Sequence, residues 1–419
     1  MLNRREFSKC VLAGGAAILA PAAAFAGSPS AAQGGSPAPA IDLLIQDGTV
    51  IDPSQNLHAI LDVAVKNGKI LEVGKNISKE RAAKVVSAKD RIVTPGFIDV
   101  HAHTFEGVSF GINADQYCLT RGVTTVVDAG SAGYSTIANF RKFIANPSTT
   151  RISALVNIGA TGTAMLQASY FNLDWLNPQL TAKAATDNRP VTVGIKIHMG
   201  RTITGNADME CLNRALQAAE IAGLPLMAHI EDSVSPLPDI LNKLRKGDIY
   251  THCFNNRPHH ILDANGKLIP EAIQARARGV YFDPAQGGSH LNFDVLEKCL
   301  QQDFPPDTIS TDLTNAAVER RIFDLPSMVS KFMAVGVPID KAVAMVTSQA
   351  ARMFDYGAQI GSLRPGSEAD ISIFELRDGQ YEFEDSDGLK RAGRQMLIDK
   401  AVVRRGQLFI NQSDVPRQS

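Results

Sequence analysis

Between Gly96 and about Gly336, short apolar runs alternate with longer stretches in which apolar residues recur every three or four positions, as in 207–222 and 340–354. The runs are "GFIDVHAH", "GVTTVVDAG", "ISALVNIG", "VTVGIKIHM", "LPLMAHI", "DIYTHCF", "GVYFDP" and "DTISTDL". Eight such runs interleaved with helical segments predict an α/β fold, a parallel (β/α)8 barrel over 96–354. The flanks carry β patterning alone: "DLLIQDGTVID", "LDVAVKNGKILEVG" and "DRIV" before the barrel, "ADISIFEL" and "KAVVRRGQLF" after it. Asp47-Gly48 and Asn67-Gly68 read as hairpin turns. The two chain ends are therefore expected to pair into one small β-sandwich domain, over 41–95 and 355–412.

The first forty residues follow neither pattern. "NRREFSK" precedes the small apolar run "CVLAGGAAILAPAAAFA", and Ala24-Phe25-Ala26 supplies a small-x-small cleavage site. Residues 1–26 resemble a twin-arginine export signal and 27–40 read as a flexible linker, which implies a periplasmic or secreted enzyme exported folded. The apolar run falls short of the roughly 20 residues of a membrane span, so no stable membrane insertion is expected.

A net charge of -1, with no long run of Lys or Arg, leaves no electrostatic footprint for nucleic acid and favours a small-molecule partner. Cys10 leaves with the signal, and Cys118, Cys211, Cys253 and Cys299 are widely spaced without a CxxC pair. Buried free thiols are expected, and no thiolate metal site. Oligomeric state is open to a homo-oligomer.

Polar residues inside this pattern carry the chemistry. The C-terminal ends of barrel strands converge on one mouth, where active sites are built. His101 and His103 end the first strand, and alternation points both to one face. Lys196 lies in the fourth strand, His229 ends the fifth, His252 the sixth and Asp312 the eighth. Four imidazoles, a lysine and a carboxylate meeting there describe a metal site. An unpaired ammonium inside the apolar strand "VTVGIKIHMG" is costly, so the Lys196 amine is expected to be neutral and to react with carbon dioxide. The carbamate is an anion that can bridge two divalent cations. Such a pair shares a water of lowered pKa, and Asp312 beside it accepts the proton and passes it to the leaving atom as general base and acid. These donors suit zinc first, with manganese, iron and cobalt also compatible. Specificity residues are expected in loops at the same mouth: His198 and Arg201 after the fourth strand, Arg257 after the sixth, and Gly288 and Ser289 after the seventh.

In combination, "GFIDVHAH", Lys196, His229, His252 and "STDL" resemble the amidohydrolase superfamily, in its binuclear subtype with a carboxylated lysine. The flanking stretch "GSLRPGSEADISIFEL" is similar to that superfamily's split β domain. The resemblance implies that His101, His103 and Asp312 hold the more buried ion and His229 and His252 the more exposed one, with Lys196 bridging. The stretch "HCFNNRPHHILDANGKLIPEAIQARARGVYFDPAQGGSHLNF" resembles the amidohydrolase/deacetylase metallohydrolases, which implies deacetylation of a small acylated hydroxy or amino acid. Two alternatives stay open. One is a cyclic-amide hydrolase of the dihydroorotase or hydantoinase kind, against which Phe105 departs from the Arg or Asn usual after the HxH pair. The other is a nucleobase deaminase, for which Glu231 would serve.

Overall fold

A computed structural model describes residues 40–320 and 324–411. The expected export signal and all but the last residue of the linker lie outside the described residues. Among those described, no helix is long and apolar enough to cross a membrane.

Strands β1 (Leu43–Asp52), β2 (Leu57–Lys66), β3 (Lys69–Gly74), β4 (Val85–Ser87) and β5 (Ile92–Pro95) come from the N-terminal flank. The parallel strands are β6 (Phe97–Ala102), β7 (Val123–Asp128), β8 (Arg151–Asn157), β9 (Thr192–Met199), β10 (Leu226–Ile230), β11 (Ile249–Thr251) and β12 (Tyr281–Asp283). The C-terminal flank adds β13 (Ile371–Glu384), β14 (Lys390–Arg404) and β15 (Gln407–Ile410).

The two flanks form one eight-stranded sheet in the order β15-β14-β13-β5-β1-β2-β3, with β4 against β1. The seam between the chain ends is the antiparallel pair β5 and β13, with Ile371 opposite Pro95. Its apolar side buries Leu43, Ile45, Val50, Val93, Ile371 and Val403. All eight strands join one continuous sheet rather than two separately paired ones. Asn67-Gly68 does turn β2 into β3, with φ of 51° and 72°, the left-handed pair that a tight hairpin requires. Asp47-Gly48 instead lies inside β1 as a bulge, where the register shifts between Ile45 and Gly48. The reason is close approach: a Cβ on Gly48 would fall 2.4 Å from Val93 Cγ2, on the neighbouring strand.

The second sheet runs β6 to β12 in chain order, every neighbouring pair parallel. The eighth run, expected over 307–313, makes no ladder. It closes the ring through separate contacts: Asp307 N donates to Phe282 O at 2.9 Å, Asp312 N to His101 O at 2.7 Å and His103 N to Leu313 O at 3.0 Å, with one bridge from Ala102 to Leu313. Ile98, Val100, Val127, Leu155, Met227 and Ile249 form an apolar cluster with Ala350 and Phe354. The helix Asp208–Ala222 buries Cys211, Leu212, Ala215, Ala218 and Ala219, the stripe its spacing predicts, and ends at Gly223 in the left-handed region. The run over 340–354 is two helices, Ile339–Met345 and Ser348–Met353. The Val346 carbonyl between them is taken by Ile98 N at 2.8 Å, at the start of the barrel sheet.

Candidate metal centre

His101, His103 and Asp312 form one group of candidate ligands, and His229, His252 and His290 a second, every residue buried; within each group the ligand atoms lie within 4.8 Å of one another. The rings of His101 and His252 are 4.9 Å apart, so the groups are adjacent.

In the first group the Asp312 Oδ1 atom lies 3.4 Å from His101 Nε2 and 3.3 Å from His103 Nε2. The other ring nitrogens are engaged behind them. His101 Nδ1 lies 2.8 Å from Thr251 Oγ1, which donates to Asp283 at 2.8 Å, and His103 Nδ1 lies 2.9 Å from Ser131 Oγ. Such partners orient each imidazole with Nε2 forward, as a ligand requires. Asp128 anchors the turn after the pair, accepting Thr104 N at 2.6 Å and Ser131 N at 2.7 Å.

In the second group, His252 Nδ1 lies 2.7 Å from Ala285 O, while its Nε2 is buried with no hydrogen-bond partner among the described residues. An unpartnered buried nitrogen among other imidazoles fits the donor set of a divalent cation. The His290 ring stacks on His252 at 3.9 Å, and Glu231 Oε2 lies 2.9 Å from His290 Nε2 and 3.2 Å from His229 Nε2. His252 and Asp312 both hold φ in the left-handed region, 65° and 53°, strain of the kind stored at functional sites.

Electrostatics favour neutral imidazoles. Burial pushes His101 down to about 3 and His229 to about 4, and holds His198 and His252 well below the ordinary value. Their lone pairs are therefore available to a cation at neutral pH. His290 is the exception: burial opposes its charge, but the Asp312 and Glu231 carboxylates beside it outweigh burial and raise it to about 9. Asp312, which burial would raise, is held well below the usual carboxylate range by His101, His103, His290 and His252.

Lys196 is fully buried. Its Nζ lies 3.3 Å from His101 Nε2 and 3.6 Å from Met227 Sδ. Burial lowers it to about 8 against the pull of Asp312, Asp283 and Asp128. Gly130 admits the lysine stem, since a Cβ there would fall 2.6 Å from both Lys196 Cβ and Cγ.

The remaining candidates divide. His198 is buried with its ring 5.0 Å from His229. Arg257 donates to Ser289 O at 3.2 Å and lies 3.6 Å from Glu231, and Ser289 Oγ lies 3.2 Å from His290 Nε2. Arg201 and Gly288, by contrast, are exposed, and nothing lies within 4 Å of a Cβ built on Gly288. His290, which follows Gly288 and Ser289 after the seventh run, is not among the candidates that the sequence pattern supplies. A polar run directly after a barrel strand was the available signal.

The model of the Amidohydrolase family matches residues 92–403. A deacetylase from Enterococcus faecalis is 32% identical over 374 residues, covering 88% of this chain and 99% of its own. Among solved structures, an adenine deaminase superposes with a TM-score of 0.83 at 32% identity, covering 88% of this chain and 100% of that one. A dihydroorotase does so with a TM-score of 0.80 at 25% identity, covering 88% and 98%.

Proposed function

Because the chain belongs to the amidohydrolase family of metal-dependent hydrolases acting at C–N bonds, we propose that it removes the acetyl group from a small acylated amino or hydroxy acid. The observation that carries this reading is the pair of adjacent buried ligand groups, on a chain aligned along nearly the whole of a deacetylase. His101, His103 and Asp312 would hold one divalent ion, and His229 and His252 the other, with His290 beside them, zinc being the first candidate. Lys196, buried and with its amine lowered to about 8, would add carbon dioxide and release a proton, giving a carbamate anion that could join the metal ligands. When bound, such a pair lowers the pKa of a water and polarises the scissile carbonyl.

The chain's own groups do the rest. Asp312 faces the first group through Oδ1 and lies 3.6 Å from His290 Nδ1 through Oδ2, so one carboxylate touches both halves of the site. Ionised at neutral pH, it takes a proton from the attacking water and returns it to the leaving nitrogen or oxygen as the acyl bond breaks. His198 and Arg257 at the mouth provide a donor and a cation for the substrate's carboxylate. The twin-arginine-like residues 1–26 support a periplasmic or secreted location.

A second reading, deamination of a nucleobase, is favoured by Glu231 lodged between His229 and His290 and by the adenine deaminase likeness. The test offers purified protein a panel of N-acetyl amino acids and O-acetyl hydroxy acids, measuring acetate, and adenine in parallel, measuring ammonia. Acetate at enzymatic rates supports the deacetylase. Ammonia from adenine without acetate replaces it with the deaminase.

A further inference from the structure

One buried amide stands behind His198. Asn157 ends β8, pairs with Lys196 on the neighbouring strand β9, and is 1% exposed. Which end of its side chain points where follows from two backbone groups that can each play only one part. Gly159 N, which can only donate, lies 2.8 Å from one side-chain atom, so that atom is the oxygen Oδ1. Gly130 O, which can only accept, lies 3.1 Å from the other, so that atom is the nitrogen Nδ2. Tyr170, equally buried, braces the oxygen: its hydroxyl donates to Oδ1 at 2.6 Å and accepts His198 N at 3.4 Å. The tyrosine comes from a loop bonded to the segment after β9, with Ala168 N donating to Thr202 O at 2.8 Å and Tyr170 N to Ile203 O at 3.1 Å. Gly159 leaves room for its ring, since a Cβ there would fall 2.7 Å from Tyr170 Cε1.

The second proton of Nδ2 faces His198 Nδ1 at 3.4 Å. An amide nitrogen can only donate, so Nδ1 receives and carries no proton of its own. The proton of the imidazole therefore sits on Nε2, for which the described residues supply no partner. The two ring nitrogens point nearly opposite ways, so this N–H is directed away from Asn157. His198 and Lys196 lie two residues apart on one face of β9, which places His198 one step nearer the mouth. Its ring is 5.0 Å from that of His229, beside the metal centre. A tautomer fixed by the partner behind it makes a histidine a donor of one defined direction.

We propose that Asn157, braced by Tyr170, is a positioning residue that fixes His198 as an Nε2–H donor for the substrate's carboxylate. This rests on the deacetylase reading above. The isosteric change Asn157→Asp tests it, because a carboxylate can only accept: it draws the imidazole proton to Nδ1 and turns a bare Nε2 lone pair on the substrate's anion. Nitrogen NMR of isotope-labelled histidines in zinc-loaded full-length protein compares wild type, Asn157→Asp and Tyr170→Phe, the His198 signal being identified by its loss in His198→Gln. Values of kcat and KM are measured on an acetylated acid and on its methyl ester. In wild type the proton is expected on Nε2. In Asn157→Asp it moves to Nδ1, and KM for the acid rises roughly 10- to 100-fold while kcat changes far less; KM for the ester, which carries no anion, moves little. Tyr170→Phe shifts both readouts in the same direction by less. A wild-type proton on Nδ1, or an equal rise in KM for acid and ester, overturns the proposal. Should Asn157→Asp fail to fold, His198→Gln and His198→Asn decide, since the Gln amide reaches toward the Nε2 position and the Asn amide toward Nδ1. Gln is expected to give a KM for the acid about tenfold below that of Asn, and equal values or the reverse order overturn the proposal. Wild type that releases no acetate sinks the deacetylase reading and leaves the donor assignment to the spectrum alone, which supports it with the proton on Nε2 and overturns it with the proton on Nδ1.

Discussion

Replacing Gly287 by Ala tests how closely the loop after β12 is fitted to Asp312. The new Cβ would stand 2.2 Å from Asp312 Oδ2 and 3.0 Å from His290 Nδ1, in a backbone with φ of +49°. Ordinary contact begins near 3.4 Å, so the carboxylate or the loop must move by about 1 Å. A displacement of that size at a reacting group costs on the order of 100-fold in rate. The left-handed conformation adds about 1 kcal/mol of instability for Ala, which in a chain of this length lowers the melting midpoint by only a few degrees. Gly288→Ala is the control. Its position is exposed and open, so stability should change by less than about 0.5 kcal/mol and turnover hardly at all.

The assay measures kcat and KM with whichever substrate the panel identifies, ion content by elemental analysis, and thermal unfolding, for wild type and both variants. The expected result is a fall of about 100-fold in kcat/KM for Gly287→Ala, with a small change in unfolding. If Gly287→Ala retains kcat/KM within threefold of wild type and a full ion complement, the loop yields freely. Asp312 would then not owe its position to the glycine, and the reasoning would be refuted.

Three further outcomes are expected. Lys196→Met keeps the buried volume but removes the amine; the second ion should bind roughly 100-fold more weakly, and a variant that binds both ions and turns over would make the lysine merely structural. Asp115 accepts Ser148 Oγ, Thr149 N, and Thr150 N and Oγ1, and although burial pushes its carboxyl up, these bonds hold it below the ordinary value. Its contribution is therefore present above the unfolded value near 4 and lost as pH falls below it; Asp115→Asn should lower thermal stability at pH 7, and the gap to wild type should narrow in acid, whereas a constant gap would contradict the linkage. Cys118, Cys211, Cys253 and Cys299 are buried and unpaired, with burial raising every thiol; a thiol reagent should leave all four unmodified in the native protein and titrate them on unfolding.

What could be read from the chain follows from how far each residue's role depends on its neighbours in sequence. His101, His103, His229 and Lys196 were legible because a strand is a local object: an apolar run sets its faces and its end, and a polar side chain there has one mouth to enter. Asn67-Gly68 was legible for the same reason, as a turn whose residues supply its own left-handed backbone. The same dipeptide logic failed at Asp47-Gly48, where Val93, arriving from another strand, decided for a bulge inside β1. The 340–354 run, periodic throughout, is broken at Val346 because Ile98 takes its carbonyl.

His290 stands at the far end of this scale. Its one local mark is a polar run directly after a barrel strand, since the loop has no period and its neighbours are small and polar. Its direct partners are Glu231 and Ser289, and the ends of its loop are bonded by Asp385 and Ser386, far along the chain. A histidine on a strand end inherits its direction from the strand, whereas one on a loop must be given direction by contacts with distant parts of the chain. The candidate least visible in sequence is therefore the one whose surroundings are built from residues far along the chain, and a substitution at Asp385, directly after the end of β13, is expected to be felt first in the loop that carries His290, through the amide of Phe293.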